Sequence, residues 1–320
     1  MPDQLGGPRP AAGEPLRLLI MGASGFLGGH VRRQAAAHGL TVLTAGRSAP
    51  PGSRSHQHAD LSRDAPSMIA AVIESARPDA VVNCAGAVAG EPETLAAANI
   101  TATCTLVTAM LQARIPTRLV HLGSAAEYGP AEPGAPVAES APLRPAGAYG
   151  LTKLAGSGLV EVARTAGLDA VVLRVFNAVG AGAPGSGLAG RAAALLRQAM
   201  VAGTDVRLGS LDPVRDFIDA RDVADAVLAA AAAPSLPHAV INIGRGIGVP
   251  SRDLIKELLT VSGLSVAVRE DAPDSARSGS RPGPRADITR ARADLGWQPS
   301  RDLAAAARDL WEAVGASAGH

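Results

Sequence analysis

A chain of 320 residues is long enough for one large domain or two lobes around a real core. Its 30 basic and 29 acidic residues leave a formal net charge of +1, which gives no broad field for nucleic acid or an anionic membrane. Aromatic residues are only 2% of the chain, so few side chains are available to stack on a planar ligand.

The opening MPDQLGGPRPAAGEP, residues 1–15, lacks the basic-then-apolar order of a signal peptide and reads as a disordered tail. No apolar run reaches membrane-spanning length, so a soluble cytoplasmic protein is expected. LRLLIMG then reads as a strand, FLGGHVRRQAAAHG as a helix ending at Gly39, LTVLTAG as a strand and SMIAAVIESA as a helix. DAVVNCAG and RLVHLGS read as strands separated by a helix over residues 94–113; YGLTKLAGSGLVEVARTAG reads as a helix and DAVVLRVFN as a strand. Cys84 and Cys104 lie in apolar runs and read as buried core thiols in a reducing compartment, not as a disulfide.

Short, nearly continuous apolar strands alternating with helices imply a parallel sheet covered on both faces. Right-handed crossovers make it doubly wound, an α/β fold of Rossmann type. After Asn177 the regularity fades into the loop AVGAGAPGSG, a helix over residues 188–201, short strands and the helix DARDVADAVLAAAAA. HAVINIG is able to return a strand to the main sheet, and residues 270–285 are too rich in turn formers to be regular. The expected division is a dinucleotide-binding lobe over residues 16–175, rejoined by 214–244, and a smaller C-terminal substrate-binding lobe over 176–213 and 245–320.

GASGFLG, Gly22 to Gly28, follows the first strand and opens the first helix. Its glycines permit a tight turn, close backbone approach to a pyrophosphate and close helix–strand packing, with the helix N-terminus facing the phosphates. Gly22, Ser24, Gly25, Phe26, Leu27 and Gly28 are therefore candidate cofactor contacts. The second strand ends in TAGRS, where Arg47 and Ser48 stand and an acid for the ribose hydroxyls does not. A guanidinium pairs with a 2′-phosphate, which favours NADP(H) over NAD(H). Asp60 is placed to accept from the adenine amino group with Leu61 beside it, or else to cap a helix. Ala85 joins the cofactor set, and Asn83 and Asn99 either contact the cofactor or bridge backbone near it. His56 and His58 form an H-x-H pair with no third ligand at convincing spacing, so no metal site is expected.

GAYGLTK puts Tyr149 and Lys153 one helical turn apart and on one face. A cation beside a phenol favours the phenolate, and a tyrosine tuned that way exchanges a proton with a sugar oxygen. Ser124, just after the fourth expected strand, lies at the carboxyl edge of the sheet, where the ligand crevice of such folds opens. It is positioned to hydrogen-bond the same oxygen.

The order GASGFLG, NCAG, GSAAEYG, YGLTK, LRVFNAVG, RDFIDARDVADA and LGWQP resembles an extended short-chain dehydrogenase/reductase, within the nucleotide-sugar epimerase/dehydratase/reductase group. The resemblance implies a Ser/Tyr/Lys catalytic set at Ser124, Tyr149 and Lys153, with Lys153 also holding the cofactor ribose. It implies substrate-phosphate contacts by Asn177, Arg215 and Arg281, although the family motif has an acid where this chain has Pro284. It also implies a nucleoside-diphosphate sugar as substrate and a homodimer joined by the helices carrying Asn99 and Tyr149.

The family's dehydratases carry an acid–base pair just after the Ser/Thr, and here Ala125 and Ala126 stand there. Glu127 comes one position later, on the opposite side of an extended segment, as in the GDP-4-keto-6-deoxy-mannose reductases it resembles. Dehydration is therefore disfavoured. Reduction of a 4-keto-6-deoxyhexose at C4 is expected, with NAD-dependent 4-epimerisation as the alternative and a non-catalytic cofactor-sensing binder as a third reading.

Overall fold

A computed structural model describes residues 14–53, 55–130, 136–273 and 283–317. Residues 1–13 of the expected tail, and Arg281, lie outside the described residues.

In chain order the elements run β1 (Arg17–Met21), α1 (Phe26–Ala37), β2 (Thr41–Gly46), β3 (His56–His58), α2 (Pro66–Ala76) and β4 (Ala80–Asn83). Next comes α3 (Pro92–Ala96), which continues through a π-turn (Ala97–Thr101) into α4 (Ala102–Gln112). β5 (Arg118–Ser124), a 3-10 turn (Ala125–Glu127), β6 (Pro136–Val137), α5 (Ala148–Thr165) and β7 (Ala170–Val175) follow. The remainder is β8 (Asn177–Val179), α6 (Leu188–Ala202), β9 (Val206–Arg207), β10 (Val214–Asp219), α7 (Ala220–Ala232) and β11 (Val240–Ile243). It ends with β12 (Gly248–Pro250), α8 (Ser251–Ser262), β13 (Val268–Arg269), β14 (Arg285–Ala286), α9 (Thr289–Leu295) and α10 (Leu303–Ser317).

The main sheet has seven strands in the order β11-β7-β5-β4-β1-β2-β3, and every adjacent pair is parallel. Its strands are apolar throughout because both faces are covered. α1 and α7 bury one face through Val31, Ala35, Val223 and Val227, while α2, α4 and α5 bury the other through Ile69, Leu106, Met110 and Val160. A third cluster, built on Leu196, Leu254, Leu258 and Leu310, joins α6, α8 and α10 away from the main sheet's two faces.

Four details depart from the sequence reading. The histidine pair forms β3, an edge strand, and His56 hydrogen-bonds Thr44 Oγ1 at 3.0 Å and Gly46 O at 3.2 Å. β11 does extend the main sheet, but β10 stands apart from it, parallel to β8 and antiparallel to β12. Cys104 is exposed on α4 rather than buried; Cys84 is partly buried, and burial pushes its thiol up to about 12. Finally, the 21-residue helix Pro92–Gln112 contains an 18-residue window of mean hydropathy 1.5, enough by length and composition to span a bilayer, so one segment does reach that length. Half of it is buried, and it packs against α2 and α5 as a core helix.

Candidate active site

Chain order reverses in the sheet at β1, with β2 on one side and β4 on the other. Crevices for ligands open there, outside the carboxyl ends of the strands. The turn leaving β1 is built for close approach. Gly22 has φ +75°, and a Cβ on it would sit 2.7 Å from the Ala85 nitrogen. A Cβ on Gly28 would sit 2.3 Å from the Gly22 carbonyl oxygen, so only glycine lets α1 start this close to β1. Gly25 caps α1 without any side-chain hydrogen bond, and Ser24 and Gly25 are exposed. Uncapped amides at a helix start and a turn stripped of side chains form a cradle that fits a pyrophosphate.

Arg47 is exposed just past the end of β2, and Leu61 is buried. Asp60 Oδ1 accepts from the Ser62 N–H at 3.0 Å and its own N–H donates to Asp64 Oδ2 at 2.7 Å, so it already orders a local turn. Ala85 donates its N–H to Asn83 Oδ1 at 3.1 Å, and Asn83 Nδ2 reaches His121 Nδ1 at 3.0 Å. Burial, and secondarily the Lys153 charge, hold His121 well below the usual imidazole range. Asn99 is buried in the π-turn. Its Oδ1 accepts from Ala87 N–H at 3.0 Å, and its Nδ2 donates to Ala87 O at 2.9 Å and Thr152 Oγ1 at 3.0 Å. With both amide hydrogens committed, Asn99 ties the loop after β4 to α5, the bridging role the sequence allowed.

A cavity of about 360 Å³ lies beside this cradle and brings together Phe26, Leu27, Ser124, Tyr149, Asn177 and Arg215. Ser124 is the last residue of β5, the fifth strand because β3 precedes it. Its Oγ accepts from the Ala126 N–H at 3.2 Å and its N–H donates to Glu127 Oε1 at 2.8 Å, a reciprocal capping box on the 3-10 turn. That turn replaces the extended segment expected here and folds Glu127 inward, where it has 0% exposure. Tyr149 is half-buried at the cavity wall, and buried Lys153, next on the same helix face, donates from Nζ to Leu122 O at 2.5 Å. Ser124 and Tyr149 thus reach one cavity from a strand end and a helix start.

Asn177 opens β8 and donates from Nδ2 to Asp216 O at 3.0 Å. Arg215 is buried at the far wall, where burial lowers its guanidinium pKa. Two participants escaped the sequence reading. Arg191, near the start of α6, lines the cavity; its only signal was a basic residue in the first turn after a glycine-rich loop. Asp216 in the RDFID run is fully buried, accepting from the N–H groups of Arg245, Gly246 and Ala286 at 2.8, 2.9 and 3.0 Å. It pins the loop after β11 and strand β14 behind Arg215. Burial raises its carboxyl to about 6 despite those three donors.

The NAD dependent epimerase/dehydratase family model matches residues 18–244. The dTDP-6-deoxy-L-talose 4-dehydrogenase (NAD(P)(+)) of Kitasatospora kifunensis is 40% identical, covering 93% of this chain and 96% of its own. The UDP-glucose 4-epimerase of Streptomyces lividans is 31% identical, covering 92% of this chain and 95% of its own. Among solved structures, MoeE5 in complex with UDP-glucose and NAD superposes with a TM-score of 0.81 at 26% identity, covering 95% of this chain and 100% of that one.

Proposed function

The chain belongs to the NAD-dependent epimerase/dehydratase family, and from that premise we propose that it reduces the C4 ketone of a nucleoside-diphosphate 4-keto-6-deoxyhexose. It is an NAD(P)-dependent enzyme of nucleotide sugars. The observation that carries the finer reading is the acid inventory around Ser124. Ala125 and Ala126 stand where a dehydratase needs its proton donor and acceptor, and Glu127 is sealed in the interior. At this end of the cavity Ser124 and Tyr149 contribute a hydroxyl and a phenol, a pair suited to exchanging one proton with one sugar oxygen.

In this reading the Gly22–Gly28 turn and the start of α1 hold the dinucleotide, and Lys153 holds its ribose. A bound nicotinamide supplies the hydride. Ser124 donates to the C4 oxygen and polarises it, Tyr149 gives that oxygen its proton, and Asn177, Arg215 and Arg281 take the substrate diphosphate. The relative named for 4-dehydrogenation of a 6-deoxyhexose supports this assignment, because oxidising a 4-hydroxyl is ketone reduction run backwards. Exposed Arg47 at the end of β2, without an acid beside it, supports NADPH as the preferred donor. We further infer a cytoplasmic homodimer joined through α4 and α5, whose exposed faces carry Leu111, Leu151 and Val162 at 52%, 58% and 68% exposure.

The test is oxidation of NADPH and NADH by the purified protein with dTDP- and GDP-4-keto-6-deoxyhexoses. Turnover with a faster NADPH rate is expected. Absence of oxidation with every 4-keto nucleotide sugar removes the proposal. Interconversion of UDP-glucose and UDP-galactose without net cofactor change transfers the assignment to 4-epimerisation, the activity named for the 31% relative.

A further inference from the structure

Glu127 is a fully buried carboxylate with three partners on three separate segments. Oε1 accepts from Ser124 N–H at 2.8 Å and from Ser157 Oγ at 2.9 Å, and Oε2 pairs with Arg174 Nε at 2.7 Å. Ser124 ends β5. Ser157 lies on α5, four residues beyond Lys153 and eight beyond Tyr149, on the same helix face. Arg174 lies in β7, three residues before Asn177. One side chain therefore joins the segments that carry Ser124, Tyr149 and Lys153 to the strand that leads into Asn177.

The rest of the interior is arranged around this carboxylate. Gly123 has no alternative, since a Cβ there would sit 2.8 Å from Glu127 Oε1. Arg174 is itself fixed: Nη1 donates to Tyr128 Oη at 3.2 Å and Glu139 O at 3.3 Å, Nη2 lies 3.9 Å from Glu161, and Tyr128 Oη donates to Asn242 Oδ1 at 2.7 Å. A buried ion pair is weak evidence of added stability, because apolar packing of the same shape often serves as well. Its geometric effect is direct. With the Ser124 N–H held by Glu127 and one Oγ lone pair held by Ala126, the hydroxyl proton and one lone pair are what Ser124 has left to offer the cavity.

We propose that Glu127 is a positioning residue: without touching substrate, its carboxylate locks the Ser124 turn to α5 and β7, so that the Ser124 hydroxyl and the Tyr149 phenol meet one substrate oxygen. The proposal rests on the assignment of Ser124 and Tyr149 above, but not on which reaction they serve.

Glu127→Gln keeps the shape and one oxygen while setting an amide N–H against Arg174 or the serines. The expected result is a kcat ~10- to 100-fold lower, because misplacement of a reacting group by a fraction of an ångström to 1 Å has that scale of effect, with KM and dinucleotide affinity changed less than ~3-fold. In a Ser124→Ala background the same substitution costs less than ~3-fold, since residues acting as one unit are non-additive. Equal losses in both backgrounds, or a loss residing in KM or cofactor affinity, overturn the proposal. Should Glu127→Gln fail to fold, Ser157→Ala removes one of the same bonds without stranding a charge and is read in the same cycle. A crystal structure of either variant reads the point without turnover. Displacement of Ser124 Oγ relative to Tyr149 is expected, and superimposable side chains refute the role whichever reaction the wild type catalyses.

Discussion

Two adjacent glycines in α1 make opposite predictions from the same substitution. Alanine at either position gains about 1 kcal/mol of helix propensity over glycine. At Gly29 the new Cβ would meet Arg33 Nη1 at 3.4 Å and Ala23 O at 3.9 Å, ordinary contacts with a flexible side chain and a carbonyl. At Gly28 it would lie 2.3 Å from Gly22 O and 2.9 Å from Gly22 C. Carbon–oxygen contacts sit near about 3.3 Å, so α1 must retreat by roughly 1 Å from the turn. Overpacking of this kind costs about 1–3 kcal/mol. Gly29→Ala should therefore raise stability by up to about 1 kcal/mol, whereas Gly28→Ala should fall about 1–3 kcal/mol below it. The displaced helix start should also weaken dinucleotide binding at least ~10-fold in Gly28→Ala, equivalent to about 1.4 kcal/mol, and leave Gly29→Ala within ~2-fold. Urea unfolding followed by Trp297 and Trp311 fluorescence gives the first quantity, and titration with NADPH gives the second. If the two variants share one midpoint and one affinity, the cradle argument is wrong.

Tyr149→Phe should lower kcat at least ~100-fold, the scale of a general acid, while dinucleotide affinity stays within ~3-fold; an unaltered kcat would exclude Tyr149 as the proton donor. Asp216, raised from 3.8 to about 6 by burial, binds its proton more tightly in the folded chain than in the unfolded one. Its contribution is full below pH about 4 and is lost as pH rises through 6, a swing of about 3 kcal/mol. The stability advantage of wild type over Asp216→Asn should shrink by that order between pH 4 and 7, as measured by urea unfolding, and a constant or growing advantage contradicts the sign. The paired change Leu151→Glu with Val162→Glu should convert the proposed dimer to a folded monomer in sedimentation, and a wild type already monomeric at micromolar concentration would remove that interface.

The alternation of apolar strands with helices, the GASGFLG turn and the YGLTK spacing were legible because each is local. A glycine turn forces its own geometry, and a four-residue spacing sets a shared helix face whatever lies elsewhere. From these the sequence by itself determined the doubly wound sheet, the cradle beside its switch point and the alignment of Tyr149 with Lys153. The tertiary structure decided what depends on distant partners. The sequence put Glu127 on the far side of an extended segment, and only the fold shows the 3-10 turn and the partners Ser157 and Arg174, 30 and 47 residues away, that hold it inside. The sequence left Asn99 between cofactor and backbone, and only the fold shows its bonds to Ala87 and Thr152. β3 has no apolar pattern and pairs along the edge that β2 offers it, and β10, in the run expected to rejoin the main sheet, pairs instead with β8 and β12. Periodicity reports which face of an element is buried. It carries no information about which other segment does the burying, and at this site that partner determines each polar side chain's role.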